Sequence, residues 1–248
     1  MNFGRLTYRE IKAAAEKDWV VLVPTGCTEQ QGVHLPVDFD TWLAGKLCRA
    51  ASARAAESYQ TDSLVLPPLP FGPTPEHKGF EAGYIHLPQE LHERVYHQVL
   101  SSLVEQGFQR MIIWQGCGRH QLTAMVEKFL ADQPASVQIF LPEMPFQAIW
   151  DGLVGPQILG GHAASFATSL CLHFRPEDVR KDLIINPDYS MPDWSSDQLD
   201  LSKHTSTGTI GDLSASSADL GKELWAALVE ACAAIIHDFD QRSKEIQP

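Results

Sequence analysis

The stretch that decides the fold is VVLVPTGCTEQQGVHLPVDFD, residues 20–40. It begins with an apolar run, Val20 to Val23, which indicates a buried strand that stops at Pro24. A polar loop follows and leads into an Ala- and Leu-rich segment, residues 40–57, which predicts a helix. This order of strand, loop and helix is typical of a parallel α/β sheet.

The rest of the chain repeats this order. Apolar runs predict further strands at residues 63–66, 111–114 and 137–141, and helical patterns predict helices at residues 91–106, 121–131 and 220–240. The alternation predicts one domain, residues 1–248, with a three-layer α/β/α architecture and a mostly parallel sheet. Ligands of such sheets bind at the carboxyl ends of the strands. We therefore expect the site in the loops after Val23, Leu66 and Trp114.

Composition excludes several classes of partner. The 248 residues carry a formal net charge of -12. An acidic surface repels nucleic-acid phosphates and anionic lipid, and no cluster of Lys and Arg offsets this charge. No apolar stretch has the length to span a bilayer, and the N-terminal residues lack the apolar core of a signal peptide. The sequence therefore predicts a cytoplasmic protein with no nucleic-acid or membrane partner.

The five cysteines are widely spaced and form no CxxC pair. This pattern predicts neither a disulfide framework nor a structural zinc ribbon. Four of them are interpreted as buried free thiols that pack as small apolar side chains. Cys117 follows a predicted strand end, and it alone is considered for a chemical role.

The loop after the first strand concentrates charged and titratable side chains. Glu29, His34, Asp38 and Asp40 lie within twelve positions of one another. Such groups are costly to crowd at a strand end unless a metal or a substrate pairs them. Solvated loop acids are the alternative explanation.

The same loop resembles the leading motif of the creatininase (creatinine amidohydrolase) family, Glu-Gln-His-Gly-x-His-Leu-Pro followed by Asp. Later segments resemble the further motifs of that family in the same order: PEHKGF at 75–80 with GYIHL at 83–87, the Gly-Phe to Gly strand at 107–116, GHAASFATSL at 161–170 with RP at 175–176, and GTIGD at 208–212 with the glycine at 221. Because these matches span nearly the whole chain, the sequence is identified as a member of this family.

The resemblance implies a creatininase-like fold and an amidohydrolase activity. Enzymes of this family open cyclic amides and related C–N bonds with two zinc or manganese ions, which share a bridging aspartate and activate a water molecule. They act on small molecules and are commonly homo-oligomers, often hexamers. These properties are expectations for this chain.

Several metal-binding positions of the family are changed here. Glu29 and Asp40 match the first glutamate and the bridging aspartate, but Gln31 replaces the histidine between them. Cys117 stands in the place of a ligating histidine, and Arg119 in the place of a ligating glutamate of creatininase. The resemblance therefore implies that one of the two cations has lost both ligands that it does not share.

The motif around residue 162 is changed in part. His162 keeps the catalytic-type histidine of the His-Ala pair, whereas Gly161 replaces an acid that often precedes it. Ala167 replaces the glutamate of the Glu-Thr-Ser segment.

Two interpretations of the altered site remain open. In the first, Glu29, Asp40 and Cys117 hold one zinc or manganese ion with one open position, and His120 joins them only if its loop turns back. In the second, no metal binds and the two carboxylates form salt bridges with Arg119. We also hypothesise that Arg119 replaces the second cation electrostatically, by pairing with Asp40 or with a substrate oxygen.

The remaining roles complete the predicted site. The predicted catalytic residues are His162, Arg119 and Glu29, with His162 passing a proton to the leaving nitrogen. The predicted substrate-binding residues are Gln31, His34, His120 and Trp150. His34 is also a candidate to orient Glu29 or Asp38, and core packing is the alternative for Trp150 and Trp194. His77 and His86 are interpreted as exposed or core histidines.

Three functions fit these residues. The first is hydrolysis of a cyclic amide or related C–N bond at a single metal ion. The second is metal-free catalysis, with Cys117 as a nucleophile beside His120. The third is a non-catalytic family member that binds a small molecule. The first is the function that the sequence favours.

Overall fold

The computed structural model describes residues 1–156 and 161–245. Its sheet contains four parallel strands, β1 (Val20–Pro24), β2 (Ser63–Val65), β3 (Arg110–Trp114) and β4 (Gln138–Phe140), in the order β2-β1-β3-β4. In the central register, Val21 lies opposite Leu64 on one side and Met111 on the other. Every residue of β1 and β3 is buried, as expected for strands that are covered on both faces.

Seven α-helices accompany the sheet in the described part of the chain: α1 (Tyr8–Glu16), α2 (Phe39–Tyr59), α3 (Gln89–Glu105), α4 (Thr123–Ala131), α5 (Phe146–Leu153), α6 (Ser165–Phe174) and α7 (Ala218–Glu245). Short 3₁₀ helices lie at Phe3–Arg5, Pro75–Phe80, Lys181–Leu183 and Leu201–Lys203. None of these helices has both the length and the apolar character that crossing a bilayer requires.

Alternate residues of the central strands face two separate cores. Leu22 and Ile112 pack with α2, α5, α6 and α7 on one face, whereas Val21, Val23 and Met111 pack with α1, α3 and α4 on the other. This alternation follows from the two-residue period of a strand. The result is the predicted three-layer α/β/α fold. Residues 157–160 and 246–248 of the predicted single domain lie outside the described residues.

The predicted strands and helices are confirmed, with ends that shift by up to five residues. The prediction omitted α1, α5 and α6. The start of α1 could have been predicted from the sequence. Thr7 and Glu10 form a capping box, in which each side chain bonds to the backbone of the other residue.

The loops after β1 and β3 are joined where they leave the sheet. The amide of Thr25 donates to the carbonyl of Trp114 at 2.8 Å, and the amide of Gly116 donates to Oγ1 of Thr25 at 3.1 Å. A Cβ at Gly116 would lie 2.3 Å from the carbonyl oxygen of Thr25, so only glycine allows this approach. The polar loops therefore meet at the carboxyl edge of the sheet.

Candidate metal centre and active site

A cavity of about 550 Å³ opens at this edge of the sheet. Its polar lining includes Glu29, Gln31, Asp40, Glu76, His77, Cys117, Arg119 and His162. Its apolar lining includes Phe39, Leu43, Phe146, Phe166, Met191, Trp194, Leu201 and Ile210. The volume lies within the range of small-molecule sites, and the few polar groups converge at one end.

Two thiols and two carboxylates meet at that polar end. The Sγ atom of Cys27 lies 3.2 Å from Oε2 of Glu29 and 3.3 Å from Oδ2 of Asp40. The Sγ atom of Cys117 lies 3.7 Å from the same Glu29 oxygen. Cys27 therefore contacts both carboxylates, and Cys117 contacts Glu29.

Gln31 contributes a neutral donor to this group. Its Nε2 atom donates to Oδ2 of Asp40 at 2.7 Å and lies 3.5 Å from Oε1 of Glu29. Within the described residues, no Lys, Arg or His nitrogen lies within 4 Å of an Asp40 carboxylate oxygen. Asp40 is thus held by an amide rather than by a cation.

His77 supports Glu29 from the side. Its Nδ1 atom accepts a hydrogen bond from Nε2 of Gln30 at 3.1 Å, so in the neutral ring Nε2 carries the proton. That Nε2 atom lies 3.4 Å from Oε1 of Glu29 and 3.7 Å from Oε1 of Glu76. Burial works to lower the pKa of His77, but the two carboxylates outweigh it and raise that pKa.

His162 presents an unprotonated nitrogen to the site. Its Nε2 atom lies 2.8 Å from the backbone carbonyl oxygen of Gln30, which can only accept, so Nε2 carries the proton of the neutral ring. Its Nδ1 atom then faces Oε1 of Glu29 at 3.7 Å as a second acceptor. Burial, with the neighbouring His77 charge, lowers the pKa of His162 to about 4, so the ring is neutral near pH 7.

The acids and thiols respond differently to their shared environment. Burial works to raise the pKa of Glu29, but His77 outweighs it and lowers that pKa to about 2. Burial and the Glu29 charge raise the pKa of Asp40. A hydrogen bond with Cys27 works to lower the pKa of Cys117, but burial and both carboxylates raise it to about 12. The thiolate of Cys117 is therefore disfavoured unless a cation is nearby.

The donor atoms fit a zinc ion. In a tetrahedral site with Zn–S near 2.3 Å and Zn–O near 2.0 Å, a sulfur and an oxygen ligand lie about 3.5 Å apart. The Cys27 sulfur lies 3.2 Å from Glu29 and 3.3 Å from Asp40, and the Cys117 sulfur lies 3.7 Å from Glu29. Thiolate and carboxylate are both ordinary zinc ligands, so the residues present suit one cation at this position.

A match to a protein-family model decides the family. The model described as Creatininase: Creatinine amidohydrolase matches residues 4–236. The chain belongs to the creatininase family. A mycofactocin precursor peptide peptidase from Mycolicibacterium smegmatis is 27% identical over 94% of this chain and 89% of the relative. Creatinine amidohydrolase from Pseudomonas putida is 22% identical over 95% of both chains.

A solved structure confirms the creatininase fold. The structure described as Creatininase Mn superposes with a TM-score of 0.80 at 21% identity, covering 100% of this chain and 99% of the other. The creatininase architecture therefore extends over this chain, although the side chains at the carboxyl edge of its sheet differ from the family motif.

Arg119 does not pair with Asp40 as hypothesised. Its Nε atom lies 3.8 Å from Oε1 of Glu76, and its terminal nitrogens donate to the backbone carbonyls of Trp194 at 3.0 Å and Ser196 at 3.4 Å. The planar guanidinium group of arginine carries five N–H donors, so it can bond to several acceptors at once. The guanidinium therefore fastens the segment that carries Trp194 to the rim of the creatininase cavity.

The loop of His120 does turn back, since the His120 amide donates to the Cys117 carbonyl at 3.2 Å. Oγ1 of Thr25 accepts from the amide of Gly116 and forms a 2.6 Å hydrogen bond with Nδ1 of His120. Nε2 points towards Gly72, where an added Cβ would lie 2.3 Å away. His120 is buried behind the thiols and is absent from the described cavity lining.

Two further predicted substrate residues also lie outside the described cavity lining. The side chain of His34 is buried, with its Nε2 atom 2.8 Å from Oγ1 of Thr168 on α6. Trp150 is 1% exposed within the apolar core and packs edge-on against Phe166, which does line the cavity. Of the two tryptophans, Trp194 is the one at the cavity.

Sequence reasoning missed three residues that touch Glu29 or its partners. Cys27 was interpreted as a buried thiol, His77 as an ordinary histidine, and Glu76 was given no role. Cys27 stands two positions before Glu29, which is a usable signal, because alternate residues of an extended segment share a side. His77 and Glu76 arrive on the 3₁₀ helix after β2, which no local pattern ties to Glu29.

Proposed function

We propose that this creatininase-family protein hydrolyses the C–N bond of a cyclic amide or a related amide at one metal ion held by Glu29, Asp40 and Cys117. The observation that carries the proposal is that Cys117 and the unprotonated Nδ1 of His162 each lie 3.7 Å from a Glu29 oxygen in the cavity, where Cys27 bridges Glu29 and Asp40. When bound, the cation would polarise the carbonyl and acidify a water molecule.

The protein groups supply the remaining steps. Nδ1 of His162 accepts a proton from the attacking water and returns it to the leaving nitrogen. His77 holds Glu29 in place through the proton on its Nε2 atom. Gln31, which donates to Asp40, faces the cavity and is the predicted substrate residue that we retain as a direct contact.

The cavity wall supports a substrate with a flat, largely apolar body. Phe146, Phe166, Met191 and Trp194 contribute apolar surface to the cavity lining. The backbone bonds of Arg119 hold the Trp194 segment against it. We propose His34, His120 and Trp150 as supports behind the site, because the first two are bonded to buried groups and the third packs behind Phe166.

A peptide amide is the second candidate substrate. A cavity of about 550 Å³ is the size of a drug-sized ligand site and exceeds what a single small ring needs. The Mycolicibacterium relative is named as a peptide peptidase. A substrate panel for this protein should therefore contain short peptides beside cyclic amides, imides and lactones.

The metal-free alternative has weaker support. A nucleophilic Cys117 needs a lowered thiol pKa, yet burial and two carboxylates raise it to about 12. His120 does not offset this effect, because burial lowers its pKa to about 3 and keeps the ring neutral near pH 7.

The experiment that tests the proposal measures hydrolysis by mass spectrometry over this panel. The protein is assayed as purified, after chelation, and after zinc or manganese is returned. We expect a product that gains one water, loss of turnover on chelation and its return with metal. His162→Gln should lower kcat about 10²–10⁴-fold with metal content unchanged, whereas His97→Gln, at an exposed position, should not. Binding of panel compounds without turnover in any metal state would contradict hydrolysis.

The assembly expected from the resemblance remains part of the proposal. We propose a homo-oligomer, with a hexamer as the expected number, and light scattering after gel filtration measures its mass. A monomer at micromolar concentration would contradict this part without affecting the proposed chemistry.

A further inference from the structure

We propose that Cys27 is a fourth protein ligand of this metal centre, and that its thiolate together with that of Cys117 makes the centre selective for zinc over manganese. The inference rests on the proposed metal site at Glu29, Asp40 and Cys117. The inference adds Cys27, which lies outside the quoted family motifs, to the metal ligands. It also states that the site prefers zinc.

Cys27 lies close to both carboxylates of the proposed metal site. It follows β1 by three residues and is fully buried, with its Sγ atom 3.2 Å from Glu29 and 3.3 Å from Asp40. These two distances are shorter than the 3.7 Å between Cys117 and Glu29. A site that includes Cys117 therefore already includes Cys27 at ligand spacing.

The backbone fixes this sulfur in place. Oγ1 of Thr41 donates to the carbonyl of Cys27 at 2.8 Å, and an added Cβ at Gly26 would lie 2.5 Å from the same Thr41 oxygen. The amide of Gly26 donates to the carbonyl of Leu69 at 3.0 Å, which ties the loop to the segment after β2. Cys27 is therefore held by both neighbouring segments before any ion binds, and preorganised ligands favour metal binding.

Cys27 is shared by two sets of neighbouring donors. Its Sγ atom lies within 4.8 Å of donor atoms of Glu29 and Asp40, and within 4.8 Å of donor atoms of Cys117 and His120. Nε2 of His77, in contrast, carries a proton towards Glu29. Cys27, Cys117, Glu29 and Asp40 together supply two sulfurs and two carboxylate oxygens, which is the coordination number of a tetrahedral zinc site.

The chemistry of the donors selects the metal. Thiolates favour zinc among the common divalent ions, whereas manganese prefers carboxylate, carbonyl and water oxygens. Two thiolates in place of imidazole and oxygen therefore shift preference away from manganese. The partly exposed Asp40 marks the cavity side, where a zinc ion can accept a fifth ligand during a reaction.

The first test is cobalt(II) substitution, because each thiolate ligand adds to the sulfur-to-cobalt charge-transfer absorption. We expect a band in the wild-type protein, about half of it in Cys27→Ser and in Cys117→Ser, and the full band in Cys48→Ser. Cys48 is the matched control, since it is equally buried but lies on α2 within the apolar core. Zinc affinity of Cys27→Ser, measured against a chromophoric chelator, should fall at least tenfold.

A second measurement needs no variant. X-ray absorption at the zinc edge of the wild-type protein should give two sulfur neighbours near 2.3 Å. A full band in a folded Cys27→Ser, or a single sulfur neighbour that Cys27→Ser retains, overturns the role of Cys27 and leaves the proposed function standing. No band and no bound zinc in the wild type or in Cys48→Ser overturns both.

Discussion

The Nε atom of Arg119 lies 3.8 Å from Oε1 of Glu76, while its terminal nitrogens bond to the backbone at Trp194 and Ser196. A residue that stands in the place of a metal ligand has thus become a structural junction between two loops. Glu76 is 3% exposed, so the pairing lies at the buried edge of the cavity. The guanidinium charge is therefore directed at Glu76 and not at Asp40.

Removing the guanidinium should loosen the cavity wall and leave the metal centre intact. Arg119→Ala is expected to raise KM about tenfold, because the Trp194 segment loses two hydrogen bonds worth about 1 kcal/mol each. Metal content should stay at the wild-type value. Arg54→Ala, which removes two exposed ion pairs, is the control. A lost metal ion in Arg119→Ala, with KM unchanged, would refute this role.

Restoring the two family residues should restore a second metal position. In Gln31→His combined with Arg119→Glu, an imidazole replaces the amide that donates to Asp40, and a carboxylate replaces a guanidinium whose positive charge repels a cation. We expect about two metal ions per chain in the double variant and about one in each single variant, by elemental analysis. A double variant that binds no more metal than wild type would show that the second position needs more than these two ligands.

His34 should make stability depend on pH. Burial lowers its pKa from the ordinary 6.5 to about 4. Between these two pH values, His34 is protonated in the unfolded chain and neutral in the folded chain. This contribution is fully present above pH 6.5 and is lost as pH falls from 6.5 towards 4, on the order of 2 kcal/mol in total.

Urea unfolding of wild type and His34→Gln across this pH range isolates the effect. The difference in unfolding free energy should be constant above pH 7 and shrink on acidification. His97→Gln, at an exposed histidine, should show no such trend. A constant difference down to pH 4 would mean that the His34 pKa is not lowered by the fold.

Gly161 should tolerate no side chain. Its φ is +52°, and an added Cβ would lie 1.7 Å from the carbonyl oxygen of Ile210, which pairs with His162. Gly161→Ala is expected to destabilise the fold by about 3 kcal/mol or more. Gly152→Ala, with open space around its Cβ and a helical position, should be neutral or slightly stabilising. Equal urea midpoints for Gly161→Ala and wild type would contradict the close contact.

Much of the fold can be predicted from the sequence, because its strands are continuous apolar runs that end at Pro or Gly. The approach of Cys117 to Glu29 was also predictable, since the carboxyl ends of neighbouring parallel strands share one edge. The hydrogen-bond and ion-pair partners of Arg119 were not predictable, because they lie more than forty residues before it and more than seventy after it. Local pattern carries no information on such distant loop contacts.

The roles of single side chains were harder to predict than the place of the site. Trp150 and Trp194 look alike in sequence, yet α5 turns the first into the core and the Arg119 contacts hold the second at the cavity. Cys27 was treated like Cys48 because thiols are commonly buried. Only the distances to Glu29 and Asp40 separate the two cysteines.

The central claim is that one metal ion occupies the Glu29, Asp40 and Cys117 site. Elemental analysis by ICP-MS of protein purified without added metal, beside Cys117→Ser, tests it most directly. We expect about one zinc per chain in the wild type and a large loss in Cys117→Ser. No bound metal in either protein, even after incubation with zinc, would contradict it.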